Sequence, residues 1–268
     1  MARVELPESR LKLRKRRMYR RVALLCVVVL VLLGAALVGV SYIPALRVDT
    51  VVVHGVQTLA TSSVEYEVQQ ALSGNYAFIL PRDNIFLYPR QYLATKLVRN
   101  YPVLGSVDVH AADFHTVVVN LVERQPRALW CLDEPHCFFM DESGMIYAPA
   151  PTFSTAVYVS YFGTTTHGEY FWRFLTPEQF PTLSALVDAL AQKVPTEKVL
   201  QVVVDANSDV SVVFAESFTL KFGLHDQGGD VFERFSLALT SAVISAHKLS
   251  DFDYIDLRFG DKLYYKLK

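Results

Sequence analysis

Four carboxylates crowd one short stretch of the chain: Asp133, Glu134, Asp141 and Glu142. Acids brought together can divide the work of a general acid and a general base. In that case Asp141 or Glu142 would be the reacting group of a hydrolase. The simpler reading is that all four solvate two turns of a hairpin. The same stretch holds Cys131 and Cys137, in CLDEPHC. A disulfide would close this loop if the two Cα atoms come within ~7 Å. A metal would instead recruit His136, Asp133 or Glu134, although the spacing matches no standard zinc pattern. The seven histidines (His54, His110, His115, His136, His167, His225 and His247) include none paired at i, i+4 with another ligand type. There is no G-x-S-x-G elbow, no H-E-x-x-H and no phosphate-cradling glycine loop. The residues therefore suggest no catalytic constellation, no cofactor and no metal.

Whatever these residues do, they stand behind a membrane signal. Val22 to Tyr42 is a charge-free run of 21 residues, and at ~1.5 Å per residue a helix of that length spans a ~30 Å hydrocarbon core. Nine basic residues and two acids precede it, a net +7; 17 basic residues and 25 acids follow, a net −8. Basic flanks stay in the cytoplasm. The expectation is a single-pass type II protein of the cytoplasmic membrane: a basic tail over 1–21, a transmembrane helix over 22–43, and the rest outside. A cleaved signal peptide is the alternative, but its apolar region is shorter, 7 to 15 residues, and ends at a small-x-small site. Here Leu37, Val38 and Val40 crowd that region. Cys26 lies within the run and reads as a small apolar residue. The outer part is mildly acidic, without a basic stripe, so nucleic acid is not an expected partner.

About 225 residues beyond the anchor suffice for two small domains. Arg47 to Val53 is β-branched and reads as a strand. Ser62 and Glu65 have capping-box spacing, and Val64, Val68, Ala71 and Leu72 recur on one helical face, so a helix is expected there until Gly74-Asn75. Tyr76 to Tyr88, broken by Pro81 and Asp83-Asn84, reads as a loop laying Phe78, Ile85 and Phe86 on the core. A second helix runs from Pro89 to Asn100. Strands follow over Val103–His110 and Thr116–Glu123. This is a β-α-α-β-β unit over 47–123. The remainder, 124–268, is mostly strand: Ala128–Cys131, Cys137–Met140, Met145–Tyr147, Ala156–Ser160, Val199–Asp205, Val210–Ala215, Phe218–Phe222 and a last run from Tyr254 to Leu267. Turn signals fall at Asp141–Gly144, Ala206–Asp209 and Gly260-Asp261. Two helices interrupt it, from Thr176-Pro177-Glu178 to Lys193 and from Asp230 to Lys248. The fold class is α+β, with a mostly antiparallel second domain.

Three local patterns are more specific. Glu123-Arg124-Gln125-Pro126-Arg127-Ala128-Leu129-Trp130 puts a ladder-breaking proline before a large apolar ring. Asp141 to Gly144 turns the chain back into Met145-Ile146-Tyr147. Tyr254-Ile255-Asp256-Leu257-Arg258-Phe259 alternates, placing Asp256 and Arg258 on one face. In these residues the chain resembles the FtsQ/DivIB family of bacterial cell-division proteins, whose pattern is E-R-x-P-x-A-x-W, then D-x-x-G-x-x-Y/F, then a terminal I-D-L-R-F/Y. Glu123, Arg124, Pro126, Trp130, Asp141, Gly144, Asp256 and Arg258 are the matching positions, and the β-α-α-β-β unit behind the anchor looks like a POTRA domain.

The resemblance implies a non-enzymatic scaffold of the division septum. It would bind the FtsB/FtsL pair outside the membrane, link early and late division proteins, and act indirectly on the septal peptidoglycan synthase. By the same likeness, the terminal strand accepts a partner strand, which makes Phe259, Asp261, Leu263, Tyr264 and Tyr265 the contact residues. Lys262, Lys266 and Lys268 could instead block that edge against aggregation. Recruitment to the division site would fall to the edge bearing Val48, Val51 and Val53. Two other functions stay open: a membrane-tethered extracytoplasmic hydrolase using Asp141 or Glu142, and a POTRA-type chaperone passing client strands along the Val48–Val53 edge.

Overall fold

The computed structural model describes residues 10–167, 172–215 and 218–268; Arg3, Glu5 and Glu8 of the basic tail lie outside them. Its first element is one long helix, α1 (Arg10–Ser41). The segment Met18–Ser41, 24 residues of mean hydropathy 3.1, is long and apolar enough to cross a membrane, and none of its apolar window is buried by the described residues. The helix extends back through the basic stretch, where Arg, Lys and Leu are good helix formers. It stops short of the expected Ile43. That residue precedes Pro44 and is extended, with ψ 123°, because the proline ring excludes a helical predecessor.

The chain divides into two compact units, one comprising residues up to Leu97 with Ser106–Val122, the other Val98–Gly105 with Glu123–Lys268. In the first, β1 (Thr50–His54), β4 (Leu104–Ala111) and β5 (Thr116–Glu123) form a three-stranded sheet in the order β1-β5-β4, after a small hairpin of β2 (Asn75–Tyr76) and β3 (Leu80–Pro81). β1 runs parallel to β5. The helices are α2 (Thr61–Leu72) and α3 (Arg90–Asn100). The apolar face read from sequence is the buried one: Val64, Val68, Ala71 and Leu72 are all inside, with Leu93, Leu97, Val117 and Val119. Each of the buried valines and leucines contributes roughly 1.5–3 kcal/mol, and Ala71 less.

Three local expectations fail here. No capping box forms at Ser62: α2 starts at Thr61, with Ala60 in place of Ser62 at its N-cap and no side-chain cap. The loop after α2 is a hairpin, so Phe78 sits at its tip, 96% exposed, and Phe86 is exposed too; only Ile85 reaches the core. The strand expected from Arg47 begins at Thr50, because Val48 donates its N–H to the carbonyl of Asp83 before the chain joins the sheet.

Among the described residues, the second unit carries a mixed sheet of eleven strands. They are β6 (Ala128–Cys131), β7 (Cys137–Met140), β8 (Met145–Pro149), β9 (Ser160–Phe162), β10 (Thr166–His167), β11 (Trp172–Arg173), β12 (Val199–Val204), β13 (Asp209–Phe214), β14 (Thr219–Gly223), β15 (Phe252–Phe259) and β16 (Lys262–Leu267). Their order is β10-β11-β8-β7-β6-β9-β12-β13-β14-β15-β16. The joins β6–β9, β9–β12 and β14–β15 are parallel and the sheet is otherwise mostly antiparallel. On alternate positions, β13 buries Val210, Val212 and Phe214. They pack in one core with Leu183, Val187 and Leu190 of α4 (Gln179–Lys193) and Val231 and Phe235 of α5 (Gly228–Thr240).

Three boundaries differ from the sequence reading. The helix expected to run to Lys248 breaks at Ser241, whose backbone is extended and whose hydroxyl accepts from the Ile244 N–H, starting the short α6 (Ala242–Ser245). A serine side chain can outcompete the helical backbone in this way. The strand expected over Ala156–Ser160 begins at Ser160, where pairing with β6 and β12 sets the register. The last run, Tyr254 to Leu267, is a hairpin that reverses at Gly260, φ +61°.

Gly144 and Gly260 both hold left-handed backbone, but a Cβ at Gly144 would lie 2.9 Å from Cβ of Phe180, whereas one at Gly260 meets nothing. Gly260→Ala should therefore cost about 1–2 kcal/mol from backbone conformation alone. Gly144→Ala should cost about 1–3 kcal/mol more, from overpacking. Urea denaturation of the detergent-solubilised chain separates the two. Equal losses would mean that Phe180 yields to the added methyl.

Candidate functional site

The family-pattern residues do structural work around β6–β8. Arg124 ion-pairs with Asp141 and its Nε donates to the carbonyl of Pro102 at 3.1 Å. The other carboxylate oxygen of Asp141 accepts from the Ser143 N–H at 2.8 Å, the Ser143 hydroxyl at 2.7 Å and the Met145 N–H at 3.0 Å. Asp141 is buried, and its oxygens are taken up in holding the turn that Gly144 completes. Glu123 is buried at the end of β5. Past Pro126, Trp130 is buried and its indole N–H donates to the carbonyl of Gly163 at 3.2 Å.

The four acids do not gather. β7 separates them, with Asp133 and Glu134 at the β6–β7 turn and Asp141 and Glu142 at the β7–β8 turn. Asp133 contacts His136, Glu134 accepts from Gln201 at 3.3 Å, and Glu142 is exposed. Cys131 and Cys137 face each other across β6–β7 and are bonded as a disulfide. Among the described residues no group of three or more His, Cys, Asp or Glu side chains could hold a metal ion.

The terminal hairpin is where the expected contact residues meet. β16 is the last strand of the sheet, and among the described residues no strand pairs with its far side. Its residues are exposed apart from the half-buried Leu263. Ile255 pairs with Tyr265 and Asp256 with Tyr264. Alternate side chains point to opposite faces of a sheet, so β16 is sided. Tyr264 stands with Phe259, the rings edge-on at 5.0 Å, and the Arg258 guanidinium lies 5.6 Å from the Phe259 ring. Leu263 and Tyr265 face the helices instead. With Asp261, Leu257 and α5–α6 they line a groove of about 500 Å³.

The helical wall of this groove was not foreseen. Leu237 and Val243 contribute to it and are 62% and 46% exposed. An exposed leucine on an otherwise amphipathic helix was the only signal available in sequence. Arg234 fixes the wall to the hairpin, donating to the carbonyls of Leu257 at 2.6 Å and Gly260 at 3.3 Å. Lys266 is tied back across the hairpin to Asp253 at 2.7 Å, and the Lys268 ammonium donates to the carbonyl of Ser250 at 2.6 Å.

At the other edge named from sequence, Val51 and Val53 pair with the fully buried Val117 and Val119. They therefore lie on the inner face of the small sheet. The outer edge of β1 offers backbone, and Val48 stands outside the strand.

Asp256 anchors the terminal hairpin. It accepts from Arg258 Nε at 2.9 Å and Nη2 at 2.6 Å, while Nη1 of the same guanidinium reaches Asp209 on β13. Burial pushes the Asp256 carboxyl up, but the Arg258 side-chain and backbone hydrogen bonds, with the charges of Arg258 and Lys221, outweigh it. The carboxyl titrates below its ordinary value. A carboxyl lowered in the folded state stabilises that state above the ordinary carboxylate pKa, and the contribution is lost as pH falls through the folded value. Asp256→Asn should thus cost about 1–3 kcal/mol at pH 7. Its deficit against the parent should close below about pH 4. A deficit that is constant from pH 7 to about pH 3 would mean that charge does not hold the hairpin. No protein-family model matches the chain, and no curated protein matches it.

Proposed function

We propose that the chain is a non-enzymatic scaffold of bacterial cell division, of the FtsQ/DivIB type. It is anchored by α1 in the cytoplasmic membrane, with the residues after the helix outside the cytoplasm and the β-α-α-β-β part acting as a POTRA domain. It gathers the FtsB/FtsL pair at the septum, links early and late division proteins and, through them, the septal peptidoglycan synthase. The observation that carries this reading is the open edge at β16. An unpaired strand edge takes up an extended peptide by backbone hydrogen bonding, and pockets for alternate side chains add specificity. β16 offers both: Tyr264 and Phe259 on one face, and on the other Leu263 and Tyr265 lining an apolar groove. Exposed tyrosines make effective anchors in such contacts. Two of the three lysines there are engaged within the chain, Lys266 with Asp253 and Lys268 with the carbonyl of Ser250, which makes them poorer blockers of the edge. Confinement of all partners to one bilayer raises their effective concentration, so weak individual contacts suffice. In this reading the β1 edge serves recruitment through its backbone, with Val51 and Val53 supporting it from the inner side.

Capture tests the docking edge. Tyr264→Glu should weaken binding of purified FtsB/FtsL by at least ~10-fold, with an unchanged urea transition. Leu237→Glu should weaken it as well if the groove takes part. Unaltered capture by both variants would remove β16 as the docking edge. A reporter enzyme fused after Lys268 checks the topology: activity is expected only outside the cytoplasm, and cytoplasmic activity would overturn it.

A further inference from the structure

The helix that leaves the bilayer does not simply tether the first compact unit; it is bonded to it. Tyr42, one residue past the end of α1, donates its hydroxyl to the carbonyl of Ile79 at 2.8 Å. The same oxygen accepts from the Asn75 amide at 3.3 Å. The buried Asn84 amide donates to the carbonyl of Ser41, the last helical residue, at 3.0 Å. Arg47, just beyond, pairs with Asp83. The β2–β3 hairpin is thereby held at the end of the apolar helix.

The tip of that hairpin is built to expose apolar side chains. Ala77 and Phe78 have φ 46° and 65°, left-handed values that bulky residues avoid unless the surroundings impose them. Phe78 is 96% exposed and Ile79 54%. Elsewhere in the same unit, Phe86 and Phe114 are also exposed, their ring centroids 6.3 Å apart. Tyr42 and Ile43 add to the same apolar character where α1 ends.

Length sets the depth. Met18–Ser41 has 24 residues, which at ~1.5 Å each reach ~36 Å, more than the ~30 Å hydrocarbon core but less than the ~40–45 Å bilayer with its headgroups. The end of α1 therefore falls in the headgroup layer, and the Ile79 carbonyl lies within one tyrosine side chain of it. Aromatic residues at this level are amphipathic anchors.

We propose that the β2–β3 hairpin, led by Phe78 and Ile79, is a second membrane contact that inserts into the outer interfacial layer of the same bilayer that α1 spans. It rests on the membrane-anchored reading above. Together with the Tyr42 and Asn84 bonds, it gives the first unit two points of attachment to the membrane rather than a swivel.

The test uses the full chain in vesicles of phosphatidylethanolamine and phosphatidylglycerol, with or without brominated acyl chains. Phe78→Trp adds an indole to the two already present, Trp130 and Trp172, at a fully exposed site where folding is not at risk. The added fluorescence should be blue-shifted and quenched at least ~2-fold by the brominated lipid, with the parent chain's signal unchanged. If the protein floats with the vesicles but the added indole is not quenched, the hairpin contact is wrong and the anchor stands. If the blue shift appears only on adding FtsB/FtsL, without bromine quenching, the patch meets protein and the proposal fails. If alkaline washing strips the protein from the vesicles, the anchor itself is wrong and the hairpin contact falls with it.

Discussion

The Arg258 guanidinium holds the end of the large sheet together. It lies on β15, forks onto Asp256 of its own strand and reaches over β14 to Asp209 of β13. This matters because the β15–β16 ladder shifts register between Asp256 and Phe259, so backbone bonds alone hold that end poorly. One planar cation between two carboxylates offsets their mutual repulsion and fixes direction as well as distance. A lysine would supply charge without the fork. Because the clamp is partly buried, salt screens it less than a surface pair. Arg234 repeats the device from the helical side by binding the carbonyls of Leu257 and Gly260. The outermost hairpin is therefore rigid on both faces while its far edge stays open among the described residues.

A comparable economy governs Asp141. A buried carboxylate is costly unless its oxygens are satisfied. Here Arg124 supplies the charge and three donors from the next turn supply the hydrogen bonds. The geometry that makes this acid stable also occupies the lone pairs that proton transfer would need. Trp130, bonded to Gly163 and packed near Phe138 at 6.0 Å, closes the neighbouring layer. Pattern residues that look chemical in sequence are thus joints of the sheet.

Local periodicity carried well. Val64, Val68, Ala71 and Leu72 were readable as one helical face and are all buried. Asp256 and Arg258, read as sharing a strand face, are bonded to each other. What escaped was decided by competition or by distant pairing. Ser241 interrupts a helix whose apolar pattern continues past it, because its hydroxyl finds the Ile244 N–H. The alternation from Tyr254 to Leu267 reads as one run because both arms of a hairpin alternate, but the turn signal at Gly260-Asp261 does mark the reversal, at the left-handed Gly260. Phe78 is as apolar as Ile85, yet one sits on a hairpin tip and the other in the core. The order β6-β9-β12 joins segments far apart in the chain, and no local pattern encodes such neighbours. The groove beside β16 escaped for the same reason, since α5–α6 and the hairpin meet only in the folded sheet.

The parallel join between β14 and β15 sets what the outer hairpin depends on. Two parallel neighbours cannot be linked by a tight turn; here the chain passes through α5 and α6 before β15 reaches its place. Among the described residues, β16 pairs with no strand but β15. The β15–β16 hairpin is local and needs only its own turn at Gly260, but its seat on the rim of the large sheet needs the crossover through α5 and α6. The position of that rim, unlike the hairpin itself, is a property of the whole second unit.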